Sequence, residues 1–185
     1  MDTIVEVLFA VDIAVLSVLL LGAIWSAVLP TKRIWPPPRR RSWHYYLTWI
    51  CFYIMFALNT AIIVLDWNSW IFKGEIRLVL GIPLALVGAL LISWGISTLG
   101  TANTSGLQGG FISTGPYRFT GNPQYLGDSL LFVGLSIITN SDLLWITHLL
   151  LMLVFVITPL AEELWLEEQY GESYMAYRRE VPRFL

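Results

Sequence analysis

Charge is scarce in this sequence. Only 13% of its 185 residues are Asp, Glu, Lys or Arg, about half the roughly 25% of an average soluble domain. The 11 basic and 13 acidic side chains nearly balance, and no basic run has the length or aromatic interleaving of a nucleic-acid arm. There is one cysteine, Cys51, which excludes an intramolecular disulfide framework. With two distant histidines, His44 and His148, it cannot close a zinc site. No G-x-x-x-x-G-K-[ST] phosphate loop and no dinucleotide G-x-G-x-x-G stands between a strand and a helix; "GLQGG" is a glycine cluster and no more. No serine or cysteine nucleophile has a partner base. Nucleophilic hydrolysis, P-loop phosphoryl transfer and metal catalysis therefore drop out.

What is abundant is apolar character, 56% of the chain. Several runs are long enough to cross about 30 Å of hydrocarbon. The expected fold is all-α, a polytopic membrane protein forming one domain over 1–185, with about five transmembrane helices and a C-terminal cytosolic amphipathic helix. The spans fall at about 5–29, 45–65, 78–98, 124–139 and 143–160. The first has no basic residue before it and outruns a signal peptide, so it reads as a span. The short link after the fourth makes the last two a helical hairpin. Asp12 lies inside the first span and must either face other helices or a wet cavity, or reach water at the membrane edge. His148, near the outer end of the fifth, reads as satisfied or interfacial.

The loop "PTKRIWPPPRRRSWH" carries five basic residues and no acid, and its prolines forbid a continuing helix. By the positive-inside rule it is cytosolic. Counting crossings then puts the N-terminus outside, and the 99–123 loop and the tail beyond 161 on the cytosolic face. The membrane itself, plasma membrane or endoplasmic reticulum, is left open.

Those two polar segments are where chemistry is to be sought. "TGPYRFTGNPQYLGD" packs turn formers and polar groups directly before an apolar run. Asn122 suits an N-cap and Pro123 a first helical turn, and a helix N-terminus favours an anion. Glu162 and Glu163, where the fifth span leaves the bilayer, favour a cation. The tail "EELWLEEQYGESYMAYRREVPRFL" reads as one helix over 162–180, with Leu166, Tyr170, Tyr174 and Tyr177 on one face. An anion site, a cation site and aromatic rings suit a small zwitterion with an aromatic base, such as S-adenosylmethionine. A turn followed by a solvated acidic helix is the structural alternative.

"GPYRFTGNPQYLG" followed about forty residues later by "EELWLEEQYGESYMAYRREVPRF" resembles the isoprenylcysteine carboxyl methyltransferase and phospholipid methyltransferase superfamily. The resemblance covers about 109–184. It implies a membrane-integral methyltransferase that binds S-adenosylmethionine between the 99–123 loop and the C-terminal helix. The implied cofactor contacts are Gly109, Gly110, Phe111, Ile112, Tyr117, Asn122, Pro123, Gln124, Tyr125, Glu162 and Glu163. The acceptor is a lipidic or small amphipathic molecule entering from the bilayer. Asp128 is the candidate base for an amine or hydroxyl acceptor, or an acid stabilising a helix N-terminus. Arg118 orients acceptor or cofactor, or anchors at headgroups. The sequence departs from the pattern at Gly121, where an arginine is usual, at Asn122, where histidine is usual, and in the apolar "VFVITPLAEE", which lacks the arginine tied to prenylcysteine substrates. An NADPH-dependent membrane lipid or sterol ene-reductase is the alternative, since those enzymes carry an acid at the position of Asp128. A scaffold without chemistry is a third reading, favoured by Gly121.

Overall fold

The computed structural model describes residues 3–71 and 74–184, so Met1, Asp2, Leu185 and two residues of the expected 66–77 connection lie outside it. Every regular element among the described residues is helical: α1 (Thr3–Val28), α2 (Trp43–Leu65), α3 (Ile76–Thr104), α4 (Pro123–Thr139), α5 (Asp142–Tyr170) and α6 (Glu172–Glu180), with 3-10 turns at Pro30–Lys32 and Gly115–Arg118. α1, α2, α3 and α5 are long and apolar enough to cross a membrane. α4 has 17 residues, about 25 Å at 1.5 Å per residue, bounded by Pro123 and by Asn140 in the left-handed conformation (φ 50°).

α5 is the central helix. Half of its most apolar stretch is buried, against 17%, 17% and 11% for α1, α2 and α3. Leu16 and Leu19 of α1, Met55 of α2, Phe132 of α4 and Leu151 and Phe155 of α5 form one core. The outward faces stay apolar, with Val64 and Leu90 about 70% exposed, as expected where lipid is the solvent.

α3 and α4 pack through glycines. Gly81, Gly88 and Gly95 repeat every seven residues along α3, and Gly127 and Gly134 along α4. A Cβ on Gly88 would lie 2.6 Å from the Gly127 carbonyl oxygen, and one on Gly134 would lie 2.8 Å from that of Gly81. Small residues are what permits such close approach in membranes. The contact sets how α4, with Gln124, Tyr125 and Asp128, stands against α3.

A polar chain ties four helices together inside the bundle. The Asn59 amide donates to Asp12 Oδ2 at 2.9 Å, His148 Nε2 lies 2.8 Å from Asn59 Oδ1, and Ser136 Oγ lies 2.6 Å from His148 Nδ1. Asp12 is fully buried, so of its two readings the helix-facing one holds, and the membrane-edge one does not. His148 is a satisfied core histidine, not an interfacial one.

Two boundaries differ from expectation. α3 runs to Thr104, so the first part of the expected 99–123 loop is helical; Gly100 (φ 79°) bends it there without ending it. The expected 162–180 helix is two: α5 continues to Tyr170, and Gly171, at φ 51°, turns the chain into α6. With ψ at −126°, that positive φ is open without strain only to glycine.

Candidate active site

Two segments far apart in sequence are stitched together here. After α3 the chain turns at Gly106 (φ 72°) and passes Gly109 and Gly110. The Asn103 amide holds this stretch by donating to the Gly110 carbonyl at 2.9 Å, and Tyr170 Oη donates to the Gly109 carbonyl at 3.0 Å. A Cβ on Gly109 would sit 2.3 Å from Asn103 Oδ1, so any larger residue would displace the Asn103 side chain. Phe111 then packs on Tyr170 (5.3 Å between centroids) and edge-on to Tyr177 (5.6 Å).

The 3-10 turn buries Tyr117, 7% exposed. Its hydroxyl accepts from the Gln124 amide at 2.8 Å, and its carbonyl accepts from Tyr177 Oη at 2.7 Å. Burial pushes the Tyr117 and Tyr174 hydroxyls well above the usual tyrosine range and Tyr177 up to about 12, which disfavours the ionised form of all three.

Asn122 stands at the N-cap of α4, but its side chain does not cap the helix. Its amide donates instead to the Arg183 carbonyl at 3.0 Å, and the Gly121 N–H donates to the Pro182 carbonyl at 2.8 Å. The C-terminal "VPRF" segment is thus strapped across the turn, and the Asn122 side chain is spent on the strap. The capping expectation fails for that reason.

The acid pair divides its labour. Glu163, 7% exposed, is clasped by Arg183 through Nε on Oε1 and Nη2 on Oε2, and Arg178 adds a 3.0 Å contact to Oε2. The bond to Glu163 raises the Arg183 pKa further. Glu162 meets no cation among the described residues. Its Oε1 accepts from Tyr125 Oη at 2.5 Å and from Trp35 Nε1 at 2.6 Å, and no hydrogen-bond donor reaches Oε2 among the described residues.

These groups open on one cavity of about 570 Å³, within the usual range for small-molecule sites. Of the sequence-derived site residues, Gly110, Phe111, Ile112, Tyr117, Asn122, Gln124, Tyr125, Asp128, Glu162 and Glu163 line it. Gly109 and Pro123 lie behind the wall. Arg118 is exposed, stands over the Phe119 ring at 5.5 Å and is not part of the lining. Deeper in, the cavity becomes apolar, between Leu19 of α1, Phe52 and Phe56 of α2, Ile92 and Ile96 of α3 and Phe155 of α5. Asp128 is the one acid in that stretch and makes no hydrogen bond or ion pair among the described residues.

Sequence reasoning missed Trp35, Asn103, Arg178 and Arg183. Each reaches the site through tertiary closure, and of the four only Arg183 carries a local signal, the "VPR" of the tail.

No curated protein and no solved structure matches the chain. Residues 76–173 match the family model of the phospholipid methyltransferases. The matched segment begins at the start of α3 and ends in α6, taking in the cavity loop, α4 and both glutamates. It covers more than half of the sequence, and the chain belongs to the phospholipid methyltransferase family.

Proposed function

We propose that the protein is an integral-membrane S-adenosylmethionine-dependent methyltransferase acting on a lipidic or amphipathic acceptor. The observation that carries this reading is a single cavity with Glu162 at its polar end, one carboxylate oxygen bare, and the unpartnered Asp128 farther in, where the walls turn apolar.

The residues fit the cofactor. Glu162 Oε2 is an acceptor for an ammonium. The N–H groups of Gln124 and Tyr125, in the first turn of α4 after Pro123, suit an anion such as a carboxylate. The ring of Phe111 in the cavity wall offers a stacking face. When bound, the group supplies an electrophilic methyl on a sulfonium. What remains for the chain is alignment and exclusion of water. Tyr117, Tyr170, Tyr174 and Tyr177 form a neutral aromatic wall, and the strap at residues 181–184 closes the side next to Asn122.

An amine or hydroxyl acceptor must lose a proton as its new bond to carbon forms, and Asp128 takes that proton. The acceptor's chain lies in the apolar stretch between α1, α2 and α3. Arg118, outside the cavity, is a headgroup contact and not a catalytic group. The basic 30–44 loop contributes Trp35 to the same mouth, which supports a cytosolic opening by the positive-inside rule. The reductase alternative rests on Asp128 alone, and the family match favours methyl transfer. The test is mass spectrometry of a lipid extract incubated with methyl-labelled S-adenosylmethionine and purified protein. A labelled lipid is expected, and an extract with no labelled species contradicts the reading.

A further inference from the structure

We propose that Trp35, in the loop between the first two spans and outside the family-matched segment, is the positioning residue that sets the orientation of the Glu162 carboxylate for its ligand; this rests on the methyltransferase reading above. The terminal torsion of a glutamate is broad and two-fold, so one hydrogen bond does not hold the group in a single orientation. Two donors on the same oxygen do. Tyr125 Oη approaches Glu162 Oε1 from α4 at 2.5 Å, and Trp35 Nε1 approaches it from the loop at 2.6 Å. Together they commit Oε1 and leave Oε2 as the acceptor this carboxylate presents to the cavity.

The loop is built to hold the indole there. Ser26 Oγ accepts the backbone N–H of Ile34 at 2.9 Å and of Trp35 at 3.0 Å. Trp25 Nε1 donates to the Lys32 carbonyl at 3.0 Å, and Arg33 pairs with Glu168 of α5 at 3.0 Å. The ring edge fills the space over Gly106, where a Cβ would lie 2.7 Å from Cη2 and 2.9 Å from Cζ2. Trp35 therefore joins three things: the basic loop, the glycine turn and the bare glutamate. Glu163 cannot substitute, because arginines occupy both its oxygens.

The test is calorimetric binding to purified full-length protein with two probes. S-adenosylmethionine carries the ammonium; 5′-methylthioadenosine shares its nucleoside and lacks the amino-acid part. Trp35→Phe keeps an apolar ring over Gly106 and removes the N–H. It is expected to weaken S-adenosylmethionine about tenfold and to leave methylthioadenosine unchanged, with no further loss in a Glu162→Gln background. Tyr125→Phe removes the other donor without touching the loop and is expected to give the same split. Equal affinity of Trp35→Phe and wild type for S-adenosylmethionine overturns the proposal, and so does an equal loss of both ligands. Wild-type protein that binds neither probe overturns the methyltransferase reading itself.

Discussion

Arg183 closes on Glu163 with two nitrogens of one guanidinium, while Glu162, its neighbour in sequence, meets no cation among the described residues. The pair is thereby split into a salt-bridged acid and one that lines the cavity without an ion pair among the described residues. Arg183→Ala leaves the nearly buried Glu163 with Arg178 alone. Since Arg183 is 40% exposed at its side chain, solvent offsets part of the loss, and a drop of about 1–3 kcal/mol is expected. Denaturant unfolding in micelles measures it, and proteolysis of the tail is expected to accelerate. Unchanged stability and unchanged tail protection contradict the assignment.

The glycine seam of α3 and α4 sets the height of Asp128 and Tyr125 against the cavity. Gly88→Ala drives a Cβ to 2.5 Å from the Leu131 amide nitrogen, and backbone cannot swing away as a side chain can. A loss of about 1–3 kcal/mol is expected. Ala85→Gly, at a neighbouring position, is the control for helix propensity and is expected to cost less. The thermal midpoints of the two variants decide the point.

The buried chain from Asp12 to Ser136 has a different signature. His148→Ala orphans Asn59 Oδ1 in the bundle, at about 1–3 kcal/mol for a buried group left unsatisfied, while Ser136 Oγ keeps its bond to the Phe132 carbonyl. Asp12→Asn keeps the shape and an oxygen acceptor for Asn59, and is expected to be at least as stable as wild type. Cofactor affinity is expected to be unchanged in both, because neither residue lines the cavity. Thermal unfolding and calorimetry on the same samples check the pair.

Tyr177 carries a pH signature. Its hydroxyl is pushed from 10 to about 12, chiefly by burial. Between those values the unfolded chain has released the proton and the folded one retains it. The stabilisation is therefore complete below pH 10 and is lost as pH rises towards about 12. Tyr177→Phe is expected to flatten the fall in unfolding midpoint over that window. A wild-type and a variant curve of equal slope contradict it.

Much of this arrangement is legible in the sequence. Long apolar runs separated by "WPPPRRR" and by the 99–123 segment mark the membrane helices, because hydrocarbon thickness imposes their length. "GNPQYLGD" and the acid pair mark the two ends of the site. What could not be read there is whatever depends on closure. Asn122 has the right residue type for a cap, but the Arg183 carbonyl competes for its amide. Asp12 carries no local sign of Asn59, 47 positions away. Trp35 looks like an interfacial tryptophan until the loop folds back over Glu162. The seven-residue glycine spacing at 81, 88 and 95 was visible and would have predicted the α3–α4 seam.

The deeper acid separates chemistry from binding. Asp128→Asn is isosteric and is expected to leave S-adenosylmethionine affinity unchanged. Methyl transfer to an amine or hydroxyl acceptor is expected to fall by about 10²–10⁴-fold. An unchanged rate assigns Asp128 to the structural role of an acid near a helix N-terminus.

The most direct test of the account is the affinity of purified protein for S-adenosylmethionine, measured by calorimetry in wild type, Glu162→Gln and Glu163→Gln. The account predicts saturable binding in wild type and a loss of about tenfold or more in Glu162→Gln, the usual worth of a hydrogen bond to a charged group. In Glu163→Gln it predicts a smaller loss accompanied by a lowered unfolding midpoint. Absence of binding in wild type, or a Glu162→Gln protein that binds as tightly as wild type, would contradict it.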